Sequence, residues 1–403
     1  MKANLNLRRV FIATGLTVLV VVYVVLWVQM LASPAQRTGA DFIAFYAAGR
    51  VAEKAGAGRV YDPALQQAVQ QDQVGFTLVP GQVLLYNHAP YLIPLLELVA
   101  DGNYVASFQR WALLLLALYA ISIWVLADLA GRMGFQRPGV LLMAAGMLTF
   151  FPLFVSLLNG QDTAFLVLGS CLWLAGLLSD RDPMAGLGLA LTTVRPQITL
   201  LLAVPFLFRR RRVFLWFCLG TLCLAITSLV LLGSAGTRAY LATLLTSMGG
   251  EAYGMKEEAM VNLIGLMRRL APSLSTQIVH AVGWVVYLLA LAGLCLLWAR
   301  SKSIAAKQAG LAAALAVLTV PHLHYHDLTL LLVPLIAGIL LLREQHLAEK
   351  DLVLLPLGLS LILLFSNFTP ILKFNLPYLV VVMLILVLYF PDRLSRRSAL
   401  PVE

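Results

Sequence analysis

VFIATGLTVLVVVYVVLWVQML, at residues 10–31, decides the fold class, because it is an apolar run without a charged residue. A transmembrane α-helix needs about 20 such residues, and comparable runs recur along the 403-residue chain. The chain is 61% hydrophobic and only 12% charged, whereas soluble domains carry about 25% charged residues. The runs are continuous rather than alternating, which excludes a transmembrane β-barrel. The sequence therefore predicts an all-α polytopic membrane protein.

Hydropathy predicts a bundle of about twelve transmembrane helices. Their approximate limits are 10–31, 106–130, 139–158, 163–179, 184–194, 197–208, 213–232, 276–299, 308–321, 328–342, 352–366 and 377–390. The pair 184–194 and 197–208 is short and is interrupted by Arg195-Pro196. These pieces are half-helices, strongly tilted spans or a re-entrant pair. No internal repeat or separate soluble domain is evident, so we expect residues 1–403 to form a single integral membrane domain.

The basic residues predict the orientation. The net charge is +10, but its carriers lie in short clusters between spans, such as the arginines at 209–212, 393, 396 and 397. Such clusters favour the cytoplasmic side and do not indicate a nucleic-acid-binding patch. We therefore expect a multi-pass protein of the inner or plasma membrane, with both termini in the cytoplasm. The first span lacks a small-residue cleavage site, which favours an uncleaved anchor over a signal peptide.

The predicted outer side collects the long polar segments and more than half of the acidic residues. These segments are a large first loop at 33–105, a second loop at 233–275, and the turns at 159–162, 322–327 and 366–376. Within the first loop, the spacing of Phe42, Phe45 and Ala48 predicts a helix over 41–55 that lies at the membrane interface. We therefore expect the functional site on the outer face.

Asp41 is the candidate catalytic base. A carboxylate just outside the first span could take a proton from an attacking hydroxyl. Aspartate is also favoured as the N-cap of a helix, and composition alone favours that simpler role. Tyr46, in the aromatic stretch that follows, is a candidate for substrate contact.

Two further segments are candidates for substrate contact. Tyr86 and His88 lie in a polar, aromatic stretch that could shape a sugar or lipid-phosphate site, or form an interfacial turn. In the turn 159–162, Asn159 and Gln161 could hydrogen-bond sugar hydroxyls, or could only build the turn and cap the next helix.

Arg195-Pro196-Gln197 is the stronger signal for a binding site. An arginine within an interrupted apolar stretch is costly in lipid and usually faces a cavity or a partner. Its planar guanidinium suits bidentate contact with a phosphate. The alternative is an arginine at a helix end that extends to the interface. We expect Arg195 to bind phosphate and Gln197 to contact substrate.

The segment HLHYHD at 322–327 suggests metal ligands, but histidines at i and i+2 do not face the same way on a helix. There is also no HExxH motif. We therefore expect no metal site and leave open whether a divalent metal is required. His324 and His326 would instead contact phosphate, and Asp327 would contact substrate, in a polar cleft.

Arg268 and Arg269 follow Asn262 in a predicted interfacial helix. They could attract anionic headgroups or provide a second phosphate contact, with Asn262 facing the substrate. The four cysteines lie inside apolar runs without metal-site spacing. No P-loop or supported GxSxG motif is present, so nucleotide hydrolysis and serine hydrolase chemistry have no support.

Taken in order, these motifs resemble glycosyltransferase family 87, within the GT-C superfamily of membrane glycosyltransferases. The resemblance is carried by the acid-aromatic motif at 41–46, the Tyr/Pro-rich segment at 86–94, Gly160-Gln161, Arg195-Pro196-Gln197, Asn262 before Arg268-Arg269, and the Pro-His-rich turn at 321–327. It implies a hexosyltransferase that uses a polyprenyl-phosphate sugar, with mannose the best-known case, and transfers it with inversion. Asp41 would be the base, Arg195 would stabilise the departing phosphate, and the acceptor is an unknown glycan or lipid.

Two other classes remain open from the sequence. A lipid or sugar transporter or flippase would explain the broken stretch at Arg195-Pro196, although such proteins tend to show internal repeats. A polymerase or ligase that uses lipid-linked oligosaccharide would share the polar outer segments.

Overall fold

A computed structural model describes residues 2–32, 38–248, 257–301, 305–368 and 376–389. Within these ranges every regular element is a helix, and no strand occurs. The α-helices are α1 (Lys2–Leu31), α2 (Phe42–Ala55), α3 (Pro63–Val74), α4 (Ile93–Val99), α5 (Tyr104–Arg132), α6 (Arg137–Leu148), α7 (Phe151–Asn159), α8 (Thr163–Leu178), α9 (Asp182–Leu191), α10 (Pro196–Ala203), α11 (Arg211–Met248), α12 (Leu263–Leu270), α13 (Thr276–Arg300), α14 (Ala306–Thr319), α15 (Leu332–Glu344), α16 (Glu349–Leu352), α17 (Leu355–Phe368) and α18 (Leu376–Tyr389). The prediction of an all-helical chain is confirmed for these residues.

Several predictions concern residues outside these ranges. They are the start of the first loop (33–37), part of the second loop (249–256), most of the turn at 366–376, and the basic residues Arg393, Arg396 and Arg397.

Six of the described helices are long and apolar enough to cross a membrane, namely Leu7–Leu31, Tyr104–Arg132, Arg137–Asn159, Arg211–Ser247, Thr276–Arg300 and Tyr325–Glu344. Shorter apolar helices accompany them at Pro90–Val99, Thr163–Leu178, Pro196–Leu207, Ala306–Thr319 and Pro377–Leu386. This content is that of a membrane protein. The count of about twelve spans stays a prediction, as does the orientation of the termini.

The predicted span at 139–158 is not one uninterrupted helix. It breaks between α6, which ends at Leu148, and α7, which begins at Phe151. Pro152, in the first turn of α7, lacks a backbone N–H, so the hydrogen-bond ladder of α6 cannot continue through it. The backbone N–H of Phe151 instead donates to Ser360 Oγ on α17 at 2.9 Å. Hydropathy averages over this break and does not register it.

The first loop folds as the three short helices α2, α3 and α4. The Asp62 carboxylate starts α3 by accepting hydrogen bonds from backbone N–H groups of its first turn. α2 and α4 cross closely, since a Cβ added at Gly49 would lie 2.5 Å from the carbonyl oxygen of Leu96. A helix therefore occurs where the spacing of residues 41–55 predicts one, and its position at a membrane interface stays a prediction.

α9 and α10 form a short hairpin with Arg195 at its tip. It packs tightly on α8, because a Cβ at Gly176 would lie 2.5 Å from the backbone nitrogen of Ala185. Residues 182–194 and 196–207 each extend roughly 20 Å, less than the ~30 Å hydrocarbon core of a bilayer. These lengths favour half-helices or a re-entrant pair over two full spans.

α11 continues beyond the predicted span at 213–232 and kinks at Gly233, where φ is 60° and ψ is −173°. This conformation is open almost only to glycine. Beyond the kink, a Cβ at Gly236 would lie 2.6 Å from the carbonyl oxygen of Gly58. The rings of Tyr61 and Tyr240 lie 4.8 Å apart. The second part of α11 thus holds the first loop over the helix bundle.

Candidate active site

Asp41 occupies the N-cap position of α2, but its side chain makes no capping hydrogen bond. The carboxylate instead accepts a hydrogen bond from Gln161 Nε2 at 2.7 Å. Its backbone N–H donates to the carbonyl oxygen of Asn159 at 3.0 Å. The carboxylate is half-buried. The simple N-cap interpretation therefore does not explain the side chain, although it describes the backbone position.

The turn between α7 and α8 is built to approach Asp41. Gly160 has a φ of 74°, a left-handed conformation that favours glycine. A Cβ added there would lie 2.6 Å from Phe42 Cβ. Trp111 Nε1 donates to the Gly160 carbonyl oxygen at 2.8 Å. The close approach and this hydrogen bond together place Gln161 beside Asp41.

Arg195 is the centre of the polar cluster and is only 8% exposed. Its Nε donates to Asp327 Oδ1 at 3.1 Å, and its Nη1 lies 2.9 Å from Asp162 Oδ1. Its Nη2 donates to Gln161 Oε1 at 3.2 Å. The tip of the hairpin thus joins the turn before α8, the segment before α15 and, through Gln161, the start of α2.

Two buried carboxylates surround the single guanidinium. Asp162 is 0% exposed and Asp327 is 1% exposed. Burial alone would raise the pKa of Asp162, but the charges of Arg195 and His88 outweigh it and hold that pKa well below its usual range. Because Asp162 is therefore ionised at neutral pH, the removal of Arg195 would leave a buried negative charge without its partner.

His88 belongs to the same cluster. Its Nδ1 lies 3.0 Å from Asp162 Oδ2 and 3.4 Å from Arg195 Nη1. Its ring centroid is 4.4 Å from that of Phe45, and its carbonyl oxygen accepts a hydrogen bond from the Tyr61 hydroxyl at 2.6 Å. The first loop thus contributes His88 as well as Asp41.

The segment 322–327 places its histidines in a row. The ring centroids of His322 and His324 are 4.7 Å apart, and those of His324 and His326 are 5.8 Å apart. Burial, reinforced by the neighbouring histidine, lowers the pKa of His322 to about 3 and that of His324 to about 4. These two rings are therefore neutral at pH 7. The His324 backbone N–H donates to Asp327 Oδ2 at 3.1 Å.

The described residues contain no group of three His, Cys, Asp or Glu side chains placed to hold a metal ion. The side chains of the cluster are carboxylates, an amide, a guanidinium and imidazoles.

Tyr46, Tyr86 and Asn159 support the first loop and its contacts. The Tyr46 hydroxyl donates to the carbonyl oxygen of Asp101 at 2.8 Å. The Tyr86 hydroxyl donates to the carbonyl oxygen of Ala89 at 3.0 Å, and Tyr86 is 0% exposed. Asn159 meets Asp41 through its backbone. Their predicted contact with substrate stays a prediction.

Asn262 and Gln197 hold the histidine segment. The Asn262 amide caps α12 through its oxygen and donates from Nδ2 to the Val320 carbonyl oxygen at 2.7 Å. Gln197 Nε2 donates to the carbonyl oxygen of His322 at 3.3 Å. Since Asn262 is 0% exposed, its amide is committed to the protein. These contacts hold the segment around His322 in place, and the predicted contact of both residues with substrate stays a prediction.

Arg268 and Arg269 have partners near α12. Arg268 pairs with Glu257, which also contacts His280 Nε2. Arg269 donates to backbone carbonyl oxygens of Met260 and Gly265. The contacts found for the two arginines are thus with their own helix and its neighbours and not with Asp41 or Arg195.

Asp162 is a member of the cluster that was not among the candidate site residues, although the sequence allowed its carboxylate, like the amides of the same turn, to hydrogen-bond sugar hydroxyls. It was interpreted as part of a turn and cap, yet its side chain makes no cap hydrogen bond. The sequence contained a signal for this pairing. Asp162 directly follows Gly160-Gln161 at the start of an apolar helix, and Arg195 is a basic residue inside an apolar stretch that needs an acidic partner. Tyr91 was also missed, and its hydroxyl lies 3.1 Å from Thr193 Oγ1 on the hairpin.

Comparison with known proteins decides the family. The model of glycosyltransferase family 87 matches residues 89–321, which is more than half of the chain. The chain belongs to glycosyltransferase family 87. A search of curated proteins finds no match. The segment matched to family 87 contains Gln161, Asp162 and Arg195, whereas Asp41 and Asp327 lie on either side of it.

Membership of family 87 indicates a glycosyltransferase and is consistent with the GT-C superfamily. The expected resemblance is therefore confirmed at the level of the family.

Proposed function

We propose that this member of family 87 transfers a hexosyl unit, with mannosyl as the first candidate, from a polyprenyl-phosphate sugar to an acceptor hydroxyl on a glycan or lipid. The observation that carries the proposal is the Asp41 carboxylate. It stands at a helix start without capping the helix and is half-buried. Gln161, which is itself bound to Arg195, holds it in place.

Asp41 acts as the general base in this proposal. It removes the proton of the acceptor hydroxyl while the acceptor oxygen attacks the anomeric carbon. The bond between that carbon and the phosphate oxygen breaks, and its electron pair leaves with polyprenyl phosphate. The configuration at the anomeric carbon inverts. A phosphate leaves readily, so the step needs no protonated acid partner.

Arg195 is assigned first to positioning. Asp162 and Asp327 already balance its charge, so it is not a free cation for a phosphate. Its Nη2 donates to Gln161 and carries a second N–H, through which the predicted phosphate contact would be made. Loss of Arg195 would release Gln161 and, through it, Asp41.

His324 is the better placed candidate for contact with the donor phosphate. Its ring is partly exposed, and as a neutral imidazole it offers one N–H donor. Burial lowers the pKa of His324, whereas the charge of Asp41 raises it, so His324 lies within electrostatic range of the proposed base. His326, buried beside Asp327 with 3.6 Å between Nε2 and Oδ2, would support the same contact indirectly.

The short hairpin supports a donor delivered by the bilayer. If its base, at Asp182, lies at one membrane surface, its tip at Arg195 is roughly 20 Å away and remains inside the ~30 Å thickness of the hydrocarbon core. A phosphate attached to a lipid reaches such a recessed site from the membrane, whereas a soluble nucleotide sugar does not. The predicted location on the outer face belongs to this proposal.

The decisive test replaces Asp41 by Asn in membranes supplied with labelled polyprenyl-phosphate mannose. We expect the transfer rate to fall by roughly 10²–10⁴-fold, as for loss of a general base. Asp62→Asn is the matched control, because Asp62 lies in the same loop and an asparagine can still cap α3. Transfer at the normal rate by Asp41→Asn would remove Asp41 from the base role. Movement of the labelled lipid across the membrane without transfer would instead favour a flippase.

A further inference from the structure

An open cavity lies far from Asp41, at the turn between α10 and α11. It has a volume of about 490 Å³ and is lined by Asp182, Phe208 and the four arginines at 209–212. It is independent of the candidate active site, because the hairpin of α9 and α10 separates it from Arg195.

Arg210 builds this turn. It has a φ of 64°, and its guanidinium contacts Asp182 Oδ1 at 2.6 Å, Asp180 Oδ1 at 3.1 Å and the carbonyl oxygen of Leu177 at 3.0 Å. It thereby joins the turn after α8 to the turn before α11. Because Arg210 forms ion pairs with both Asp180 and Asp182, these acids do not neutralise Arg211 and Arg212.

Arg211 and Arg212 are exposed at the start of α11. Arg211 Nε donates to the carbonyl oxygen of Leu207 at 3.1 Å, which fixes the direction of the side chain. Arg212 has neither a hydrogen bond nor an ion pair with another described residue. Beside them Phe208 is 54% exposed. Cationic donors next to an exposed aromatic ring are suited to a phosphate at the boundary between water and hydrocarbon.

An exposed apolar stripe begins directly beyond these arginines. Its members follow each other at intervals of four and three residues, so they share one face of the helix. They are Leu215, Leu219, Leu222, Ile226 and Leu229, each at least 49% exposed. Arg211 precedes Leu215 by four residues and therefore stands on the same face.

The opposite face of α11 is occupied by protein. A Cβ at Gly220 would lie 2.7 Å from Ala190 Cβ on α9, and Val213 is 0% exposed. The stripe is therefore the face that α11 leaves uncovered by the described chain.

We propose that the arginines at 211 and 212, with the stripe from Leu215 to Leu229, form a binding site for an anionic phospholipid. The phosphate of the headgroup lies in the cavity, and one acyl chain runs along the stripe. A second copy of this chain is the competing occupant. In a membrane, two copies related by an axis along the bilayer normal would bring Arg211 and Arg212 against the same residues, and the like charges would repel.

The test uses the purified full-length protein in phosphatidylcholine nanodiscs and measures bound phosphatidylglycerol by native mass spectrometry. We expect phosphatidylglycerol to bind in preference to phosphatidylcholine. The double variant Arg211→Gln/Arg212→Gln should weaken this binding roughly 30-fold, because each basic residue near an anionic lipid contributes about 1 kcal/mol. The charge-matched control is Arg132→Gln/Arg137→Gln, at the exposed connection between α5 and α6.

A second variant distinguishes loss of the lipid-binding site from misfolding of the protein. Leu219→Ser/Leu222→Ser keeps both arginines and should weaken phosphatidylglycerol while inorganic phosphate binding stays unchanged. Equal retention of phosphatidylglycerol by the arginine double variant and its control would overturn the proposal. The proposal would also be overturned if inorganic phosphate bound as tightly as phosphatidylglycerol. A dimer that is lost only in the Leu219→Ser/Leu222→Ser variant would overturn it as well.

Discussion

Gln161 connects Asp41 to Arg195 through the two ends of one amide. Its Nε2 donates to Asp41 Oδ2 at 2.7 Å, and its Oε1 accepts from Arg195 Nη2 at 3.2 Å. The arginine therefore fixes which way the amide points, and the amide fixes the carboxylate. Three residues that are far apart in the sequence act as one unit, and the predictions below use that dependence.

The first prediction concerns Gln161 itself. Gln161→Met keeps the volume but removes both hydrogen bonds, so we expect kcat to fall about 10²-fold, the cost of a small misplacement of a catalytic group. Gln161→Glu should do the same or worse, because a carboxylate would face Asp41. The KM for the lipid-linked donor should change little. If Gln161→Met had wild-type kcat, the orientation of Asp41 would not depend on this amide.

Arg195 should matter for stability as well as for activity. Arg195→Gln leaves Asp162 and Asp327 buried without their shared cation, at a cost of about 3–5 kcal/mol. We expect a marked fall in Tm in detergent, measured by differential scanning fluorimetry. Asp162→Asn combined with Arg195→Gln should recover part of the loss, since one buried charge is then removed. A Tm for Arg195→Gln equal to that of the wild type would show that the cluster is hydrated rather than buried.

Gly160 and Gly75 form a matched pair for testing the turn. Both are left-handed, with φ of 74° and 75°. A Cβ at Gly160 would meet Phe42 Cβ at 2.6 Å, whereas one at Gly75 would meet nothing within 4 Å. Gly75→Ala should cost about 1 kcal/mol from backbone conformation alone. Gly160→Ala should lower the free energy of unfolding by more than this. It should also lower kcat, because the turn that carries Gln161 must move away from α2. Equal effects of the two substitutions would contradict this.

The histidine segment predicts a pH dependence. The pKa values of His322 and His324 in the folded protein are about 3 and about 4, below the value of about 6.5 for an unfolded histidine. The unfolded chain therefore binds more protons between these limits, so stability falls as the pH decreases from about 6.5 towards 4. We expect Tm to decline over this range, and His322→Asn/His324→Asn to decline less steeply. If Tm fell equally steeply with decreasing pH in the variant and the wild type, the result would contradict the burial of these two rings.

The sequence pointed to several side chains that lie together in the structure. Asp41, Gln161, His88, Arg195 and Asp327 were each proposed from local patterns, and the structure brings them into one cluster. Their roles and their location on the outer face stay predictions. Hydropathy predicted the apolar span at 139–158, and Arg137–Asn159 is long and apolar enough to cross a membrane. It did not predict the break between α6 and α7, because the average does not record the lost backbone N–H of a proline.

The remaining differences depend on tertiary contacts. The local sequence around an acid at a helix start is the same whether the acid caps the helix or pairs with an arginine on another helix. The sequence therefore favoured a turn-and-cap role for Asp162. Arg268 likewise looked available for phosphate, because its partners Glu257 and Thr276 lie outside its own helix. Periodicity and charge counts contain no information about such partners.

The contact between the first loop and the end of α11 has a consequence for biosynthesis. Asn87 and Ser247, 160 positions apart, are joined by a 3.1 Å hydrogen bond. The backbones of Gly58 and Gly236 also approach each other closely. The first loop leaves the ribosome long before its partner is made, so it must remain incompletely folded while several later helices insert. Translation that stopped before Gly236 would leave Asp41 in a loop that cannot yet close. The cluster around Arg195 is completed later still, because Asp327 follows α11 in the sequence.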